Sequence, residues 1–249
     1  MSIWDYFEDI NIITLKKSKR LPSLIENLKN SYFDLTKVNV NVKPKKFFGE
    51  NTGDDCSFCK LLFDIDEKCC NKICKDIGNR HYNIIKRAYD SGKNNVMIFE
   101  DDAEFINNLD KNKIKNCIDF LKNNEWDMFF WGYFSLPPIG NRLNNDIIKL
   151  KYPLLAHCYC VNRPAMKYIL DNMNLNNIVD VEYRNFKLKK YGSWPCLNYQ
   201  EVPNTYKKYN SYLKFNKIVN VFNIFTFYNY DILKLLVILF LIIKFYYKT

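Results

Sequence analysis

The sequence predicts an α/β protein, a mixed sheet flanked by helices, and three features predict it. Val96 to Phe99 form an apolar run without polar alternation that ends in Glu100, Asp101 and Asp102. That is the pattern of a strand buried on both faces whose end emerges into a cleft. Ile10 to Leu15 read as another strand, and beyond the basic stretch Lys16-Lys17-Ser18-Lys19-Arg20 the spacing of Leu21, Leu24, Ile25 and Leu28 is helical. The 249 residues, 48% hydrophobic and 26% charged, are enough for one α/β domain with a sizeable core and a small appendage.

In chain order, the N-terminal stretch MSIWDYFEDINII carries acidic residues and no basic region before an apolar core, which is a poor secretory signal. Pro22 and Ser23 suit the start of the first helix, where Arg20 and the helix N-terminus could hold phosphate; an exposed basic loop is the alternative. Residues 39–76 break the α/β rhythm and read as a cysteine-rich insertion with Cys56, Cys59, Cys69, Cys70 and Cys74. Their spacing leaves open a zinc site, a disulfide knot or reduced buried thiols. Ile77 to Ser91 has an apolar helical stripe, and Gly92 supplies its C-cap. EWDMFFWGY predicts a further strand after Asp127, and a helix should start near Arg163 and Pro164, after the strand carrying His157. VDVEY, taken as extended, puts Asp180 and Glu182 on one side.

The carboxylates after Phe99 set the chemistry. If the strand continues through them, Glu100 and Asp102 share one face and Asp101 takes the other. Oxygen-only ligands of this kind suit a hard ion, Mg²⁺ or Mn²⁺, with diphosphate oxygens completing the shell. An acidic helix N-cap is the simpler alternative. The net charge of +10 comes from 37 basic against 27 acidic residues. Its lysines are scattered among Asn, Ile and Tyr, as in an A+T-rich coding sequence. No clustered basic stripe or nucleic-acid motif is present, so a nucleic-acid partner is not expected.

From residue 218 the chain turns aromatic and aliphatic. Its uncharged run Leu235 to Ile243 is shorter than the roughly 20 residues that span a bilayer. With Lys234 and Lys244 snorkelling and Tyr228, Tyr230, Tyr246 and Tyr247 at the interface, 216–249 reads as a hydrophobic helical tail and single-pass membrane anchor. A terminal helix packed on the core is the alternative.

The segment His81-x10-Gly92-x3-Val96-Met-Ile-Phe-Glu-Asp-Asp resembles the signature of the family 25 glycosyltransferases, the group of lipopolysaccharide and collagen galactosyltransferases. ITLKKSKRL, EWDMFFWGY and AHCYCVNRPAMKYIL follow the family's order, and Asp180, Pro195 and Gln200 are similar to its closing pattern. Thr14 stands where the family has Asn, and Arg80 where it has Ser. The resemblance implies a GT-A type, Rossmann-like fold over residues 1–215. It further implies a nucleotide-sugar donor such as a UDP-sugar, a divalent ion, and inverting transfer to a glycan, lipid-linked or protein hydroxyl. In that scheme Glu100, Asp102 and His157 hold the metal, Arg20, His81 and Asp101 contact the donor, and Asp180 or Glu182 is the base. So compact a member, with this composition, suggests a large DNA virus or an organism with an A+T-rich genome. The reading from a different class is a non-catalytic scaffold that keeps the fold and sits at a membrane; nucleotide binding separates the two.

Overall fold

The computed structural model describes residues 2–16, 18–43, 67–135 and 140–200, and within them no side chain of 43, 67–74, 134 or 135. Cys56, Cys59 and the tail from 201 onward therefore lie outside the described residues, and Cys69, Cys70 and Cys74 are described in their backbone alone. Among the described residues no helix is long and apolar enough to cross a membrane.

The elements run β1 (Ile10–Leu15), α1 (Leu21–Asn30), β2 (Val38–Lys43), α2 (Glu67–Asp90), β3 (Asn95–Glu100), β4 (Ala103–Phe105), α3 (Lys111–Asn123), β5 (Met128–Phe130) and β6 (Phe134–Ser135). There follow β7 (Gly140–Arg142), β8 (Ile147–Leu150), β9 (Pro153–Leu154), β10 (Cys158–Asn162), α4 (Arg163–Asn172), α5 (Val179–Asn185), β11 (Lys190–Ser193) and β12 (Asn198–Gln200). An eight-stranded sheet has the order β2-β1-β3-β10-β5-β11-β8-β7. It is mixed: β1 lies parallel to β2 and β3, while β10 runs antiparallel to β3 and β5.

Alternation along the central strands divides the core between the two faces. Met97 and Phe99 of β3 and Cys158 and Cys160 of β10 pack with Leu24 and Leu28 of α1 and with Ile114, Ile118 and Leu121 of α3. Val96, Ile98, Tyr159 and Val161 face the other way, onto Ile84 and Ile85 of α2, Met166 and Ile169 of α4, and Val179 and Tyr183 of α5. Helices thus cover both faces, which is why the central strands read as continuous apolar runs.

Local chemistry sets several boundaries as expected. Gly92, at φ 76°, takes the left-handed turn after α2. The Asn162 side chain caps α4 by accepting from the Ala165 N–H at 2.9 Å, with Pro164 in the first turn. Three sequence readings need correction. Residues 39–43 are not insertion but the second half of edge strand β2, whose Val/Asn alternation pairs it with β1. Residues 67–76 belong to α2, which starts ten residues before the expected Ile77. VDVEY is helical, not extended, because Val179 and Tyr183, one helical turn apart, both reach the α2-side core.

Gly78 and Gly132 illustrate opposite glycine constraints. A Cβ on Gly132 would collide with the Asn198 carbonyl oxygen and His157 Nε2, whereas one on Gly78, within α2, would meet nothing nearer than Met173 Cε at 3.8 Å. Gly132→Ala is expected to lose about 1–3 kcal/mol by overpacking. Gly78→Ala should gain about 0.5–1 kcal/mol through helix propensity. Urea denaturation of the two variants checks both signs.

Candidate active site at the end of strand β3

β3 stops at Glu100, and Asp101 and Asp102 form the turn into β4. The strand alternation expected to align Glu100 with Asp102 therefore does not extend to Asp102, and the carboxylates fan out to different partners. Asp101 accepts from the Thr14 hydroxyl at 2.7 Å and pairs with Arg20 at 2.7 Å. Asp102 Oδ2 takes the other arm of the Arg20 guanidinium at 3.1 Å and the Gln200 amide at 3.0 Å. Asp102 Oδ1 is buried and has no hydrogen-bond partner among the described residues. Glu100 turns to α2, where its Oε1 lies 3.1 Å from His81 Nε2.

The fold explains each placement. β1 and β3 are parallel, so their carboxyl ends emerge together, bringing Thr14 beside Asp101. Arg20 is the N-cap residue of α1 and leaves the cap without a side-chain bond, so its guanidinium is turned to the two aspartates. α1 is fixed against this turn by Asn27, whose side chain accepts from the Phe105 N–H at 2.8 Å and donates to the Phe105 carbonyl at 3.0 Å. Gln200 arrives because β12 pairs with β4 in a register that puts it opposite Ala103, the neighbour of Asp102. The two departures from the family pattern line the same wall: Thr14 supplies the Asp101 donor, and Arg80, bridged to Asp76 at 2.6 Å, donates to the Thr14 carbonyl at 3.3 Å.

Electrostatics follow from crowding. Burial, then the charges of Asp180 and Asp101, push Glu100 up to about 8. Burial and the charge of Glu100 push Asp102 up to about 7, against the pull of Arg20 and Gln200. Asp180 is also raised, mainly by burial, and burial lowers His81 to about 4.

The remaining expected site residues separate. Asp180 lies in the first turn of α5, where its Oδ1 accepts from the Ala156 N–H at 2.8 Å, and its charge reaches both Glu100 and His81. Glu182 does not join it, since residues two apart on a helix point about 200° from one another. Both Glu182 oxygens instead hold the preceding loop, through the Asn174 N–H at 3.0 Å and the Asn177 amide at 2.6 Å. His157 is 1% exposed, with Nε2 beside Gly132 and the Asn198 backbone, and burial lowers it to about 4. Its carbonyl accepts from the Glu100 N–H at 2.8 Å, so its backbone borders the site. Asp127 anchors β11 by accepting from the Lys189 N–H at 2.7 Å. Tyr159 and Tyr183, which pattern reading passed over as apolar positions, stand behind His81.

Among the described residues no group of three or more His, Cys, Asp or Glu is arranged to hold a metal ion by itself. The donors suit an ion that draws part of its shell from a substrate, as Mg²⁺ commonly does with one or two carboxylates and phosphate oxygens.

No family model matches the chain, and no curated protein matches it. Similar solved structures include A197 from STIV, at 10% identity and a TM-score of 0.43, covering 78% of this chain and 86% of that one. They also include a glycosyltransferase involved in the glycosylation of the major capsid of PBCV-1, at 14% identity and a TM-score of 0.33, covering 64% of this chain and 62% of that one. A third is apo UDP-glucose pyrophosphorylase, at 10% identity and a TM-score of 0.36, covering 74% and 72%. At that distance the likenesses carry no argument about activity, which rests on the residues themselves.

Stability of the ligand-free protein should record the crowded carboxylates. Glu100 and Asp102 have folded values above their ordinary ones near 4, so the stability they contribute is present at acid pH and lost as pH rises through about 7 to 8. His81 and His157, lowered to about 4, act in the opposite sense, and their contribution is lost as pH falls from about 6.5 to 4. The two effects oppose one another below about pH 6.5, above which the carboxylates act alone. Melting temperature is expected to fall between pH 6.5 and 8.5, and Asp102→Asn to flatten that fall.

Proposed function

We propose that the chain is a GT-A type glycosyltransferase of the family 25 kind, moving a hexose from a nucleotide sugar, a UDP-sugar first among them, to a hydroxyl with inversion. The observation that carries this reading is Asp102: its side chain is 12% exposed, one oxygen is shared by Arg20 and Gln200, and the other is buried with no hydrogen-bond partner among the described residues. A buried carboxylate oxygen left unsatisfied is costly, and a ligand that fills the position relieves the cost. Mn²⁺ or Mg²⁺, held by Asp102 with Glu100 beside it, fits an all-oxygen donor set completed by diphosphate. When bound, the ion would neutralise charge developing on the leaving diphosphate.

The chain's own groups do the rest. Arg20, 29% exposed at the head of α1, stands where its guanidinium and the uncapped first-turn N–H groups can bind phosphate. Asp101, with Thr14, aims Arg20 and lies at the donor's ribose side. Asp180 takes the acceptor proton, since inversion needs a base that deprotonates the acceptor hydroxyl as its oxygen attacks the anomeric carbon from the face opposite the leaving group. His157 stays in the wall, and Glu182 is left to its loop. The tail from 216 is proposed, from its sequence, to hold the enzyme at a membrane where lipid-linked or glycan acceptors are presented.

Titration with UDP, with and without Mn²⁺, tests the reading on the whole chain. Binding should require the metal and weaken by roughly two orders of magnitude in Asp102→Asn, as loss of a charged ligand worth several kcal/mol predicts. Equal binding by the variant would overturn the place given to Asp102, and no binding by the wild type would move the assignment to a non-catalytic scaffold.

A further inference from the structure

Behind Glu100 lies a run of buried hydrogen-bonding side chains drawn from three elements. His81 of α2 is fully buried; its Nε2 lies 3.1 Å from Glu100 Oε1 and its Nδ1 2.7 Å from the Tyr159 hydroxyl on β10. The Tyr159 hydroxyl lies 2.9 Å from that of Tyr183 on α5. The rings are packed as well, His81 stacking on Tyr159 at 5.7 Å and meeting the Tyr183 edge at 6.4 Å. Packing explains apolar rings at these positions but not two hydroxyls and an imidazole in line, because Phe would fill the tyrosine sites without burying a polar atom.

Such a chain has a direction. A neutral imidazole carries one N–H and one lone pair, and each phenol donates one hydrogen and accepts another. An ionised carboxylate can only accept. If Glu100 faces a cation as a carboxylate, Nε2 must carry the histidine hydrogen. Nδ1 must then accept from the Tyr159 O–H, whose oxygen in turn accepts from the Tyr183 O–H. With Glu100 ionised and the imidazole neutral, no other assignment satisfies every link.

We propose that Tyr183, Tyr159 and His81 are positioning residues that lock His81 as its Nε2–H tautomer and so hold Glu100, acceptor-only, against a site for a divalent cation and a nucleoside diphosphate. The inference rests on the nucleotide-sugar reading for its ligand, but the chain itself rests on geometry. The arrangement is the usual one for groups behind a metal ligand, where loss of such a partner costs about 10–100-fold in metal affinity or activity.

Tyr159→Phe keeps the ring and removes the hydroxyl. The expected result is Mn²⁺ affinity, in the presence of UDP, weaker by about 10-fold or more, with the far-ultraviolet circular dichroism unchanged. His81→Gln can still present an N–H near the Nε2 position and should retain most of that affinity, whereas His81→Asn, which reaches only as far as Nδ1, should lose it. Should Tyr159→Phe fail to fold, Tyr183→Phe removes the far hydroxyl and is expected to weaken binding in the same direction. Wild-type affinity in these phenylalanine variants and in His81→Asn would overturn the proposal.

A second measurement needs no ligand. The chain has two histidines, so the His81 signals in a long-range ¹⁵N spectrum are identified by their loss in His81→Gln. At a pH where the Glu100 carboxyl ¹³C shift reports ionisation, wild-type His81 should be the Nε2–H tautomer, and Tyr159→Phe should lose that single form. An Nδ1–H tautomer in the wild type would overturn the chain whatever the nucleotide titration gives. A wild type that binds no UDP yet shows the expected tautomer would sink the nucleotide reading and leave the chain standing.

Discussion

Burying several carboxylates at the end of one strand is the constraint that the rest of this structure answers. Each charge taken out of water is costly unless it is paired or hydrogen-bonded, and Glu100, Asp101 and Asp102 follow one another without a spacer. The fold meets the cost by breaking the strand at Glu100, so that successive side chains diverge. It brings a hydroxyl from β1, a guanidinium from the head of α1, an amide from β12 and an imidazole from α2 to meet them. The parallel pairing of β1 with β3 and the antiparallel pairing of β12 with β4 put those donors within reach. A sheet lacking either pairing would leave an aspartate without part of its shell.

Much of this was legible because it is local. The apolar run ending in Glu100, the six-residue strand β1 and the helix behind Arg20 announce themselves by period and punctuation, and they lie where the sequence puts them. The failures have two physical origins. VDVEY has the alternation of a strand, yet tertiary packing of Val179 and Tyr183 against the α2-side core makes it helical. Gln200 and Asp102 are 98 residues apart, and His81 and Tyr159 are 78 apart; no local period carries pairings of that range. Tyr159 and Tyr183 were hidden for a further reason. A buried tyrosine matches the apolar pattern of its strand or helix, and nothing in the pattern says that its hydroxyl has a partner.

Thr14 and Arg80, which stand where the family that the sequence resembles has Asn and Ser, work as a pair. Thr14 donates to Asp101 while its carbonyl accepts from Arg80. Arg80 is 7% exposed, bridges to Asp76 and lowers the affinity of both Glu100 and His81 for protons. A hydroxyl at position 14 and a cation at position 80 therefore do one job between them, shoring up the acidic turn from the α2 side.

What the donors leave undone is as informative as what they supply. The guanidinium of Arg20 offers one positive charge against Asp101 and Asp102 together, and both contacts are short. His81, lowered to about 4 by burial, adds none at neutral pH. Burial first, then the neighbouring carboxylates, pushes Glu100 up to about 8 and Asp102 up to about 7, and among the described residues Asp102 Oδ1 has no hydrogen-bond partner. A purely structural acidic turn would gain by replacing Asp102 with Asn, which keeps an acceptor oxygen for Arg20 and Gln200 and removes a charge. An aspartate at this position is favoured where a further positive charge joins it, which is the place the proposed divalent ion would take.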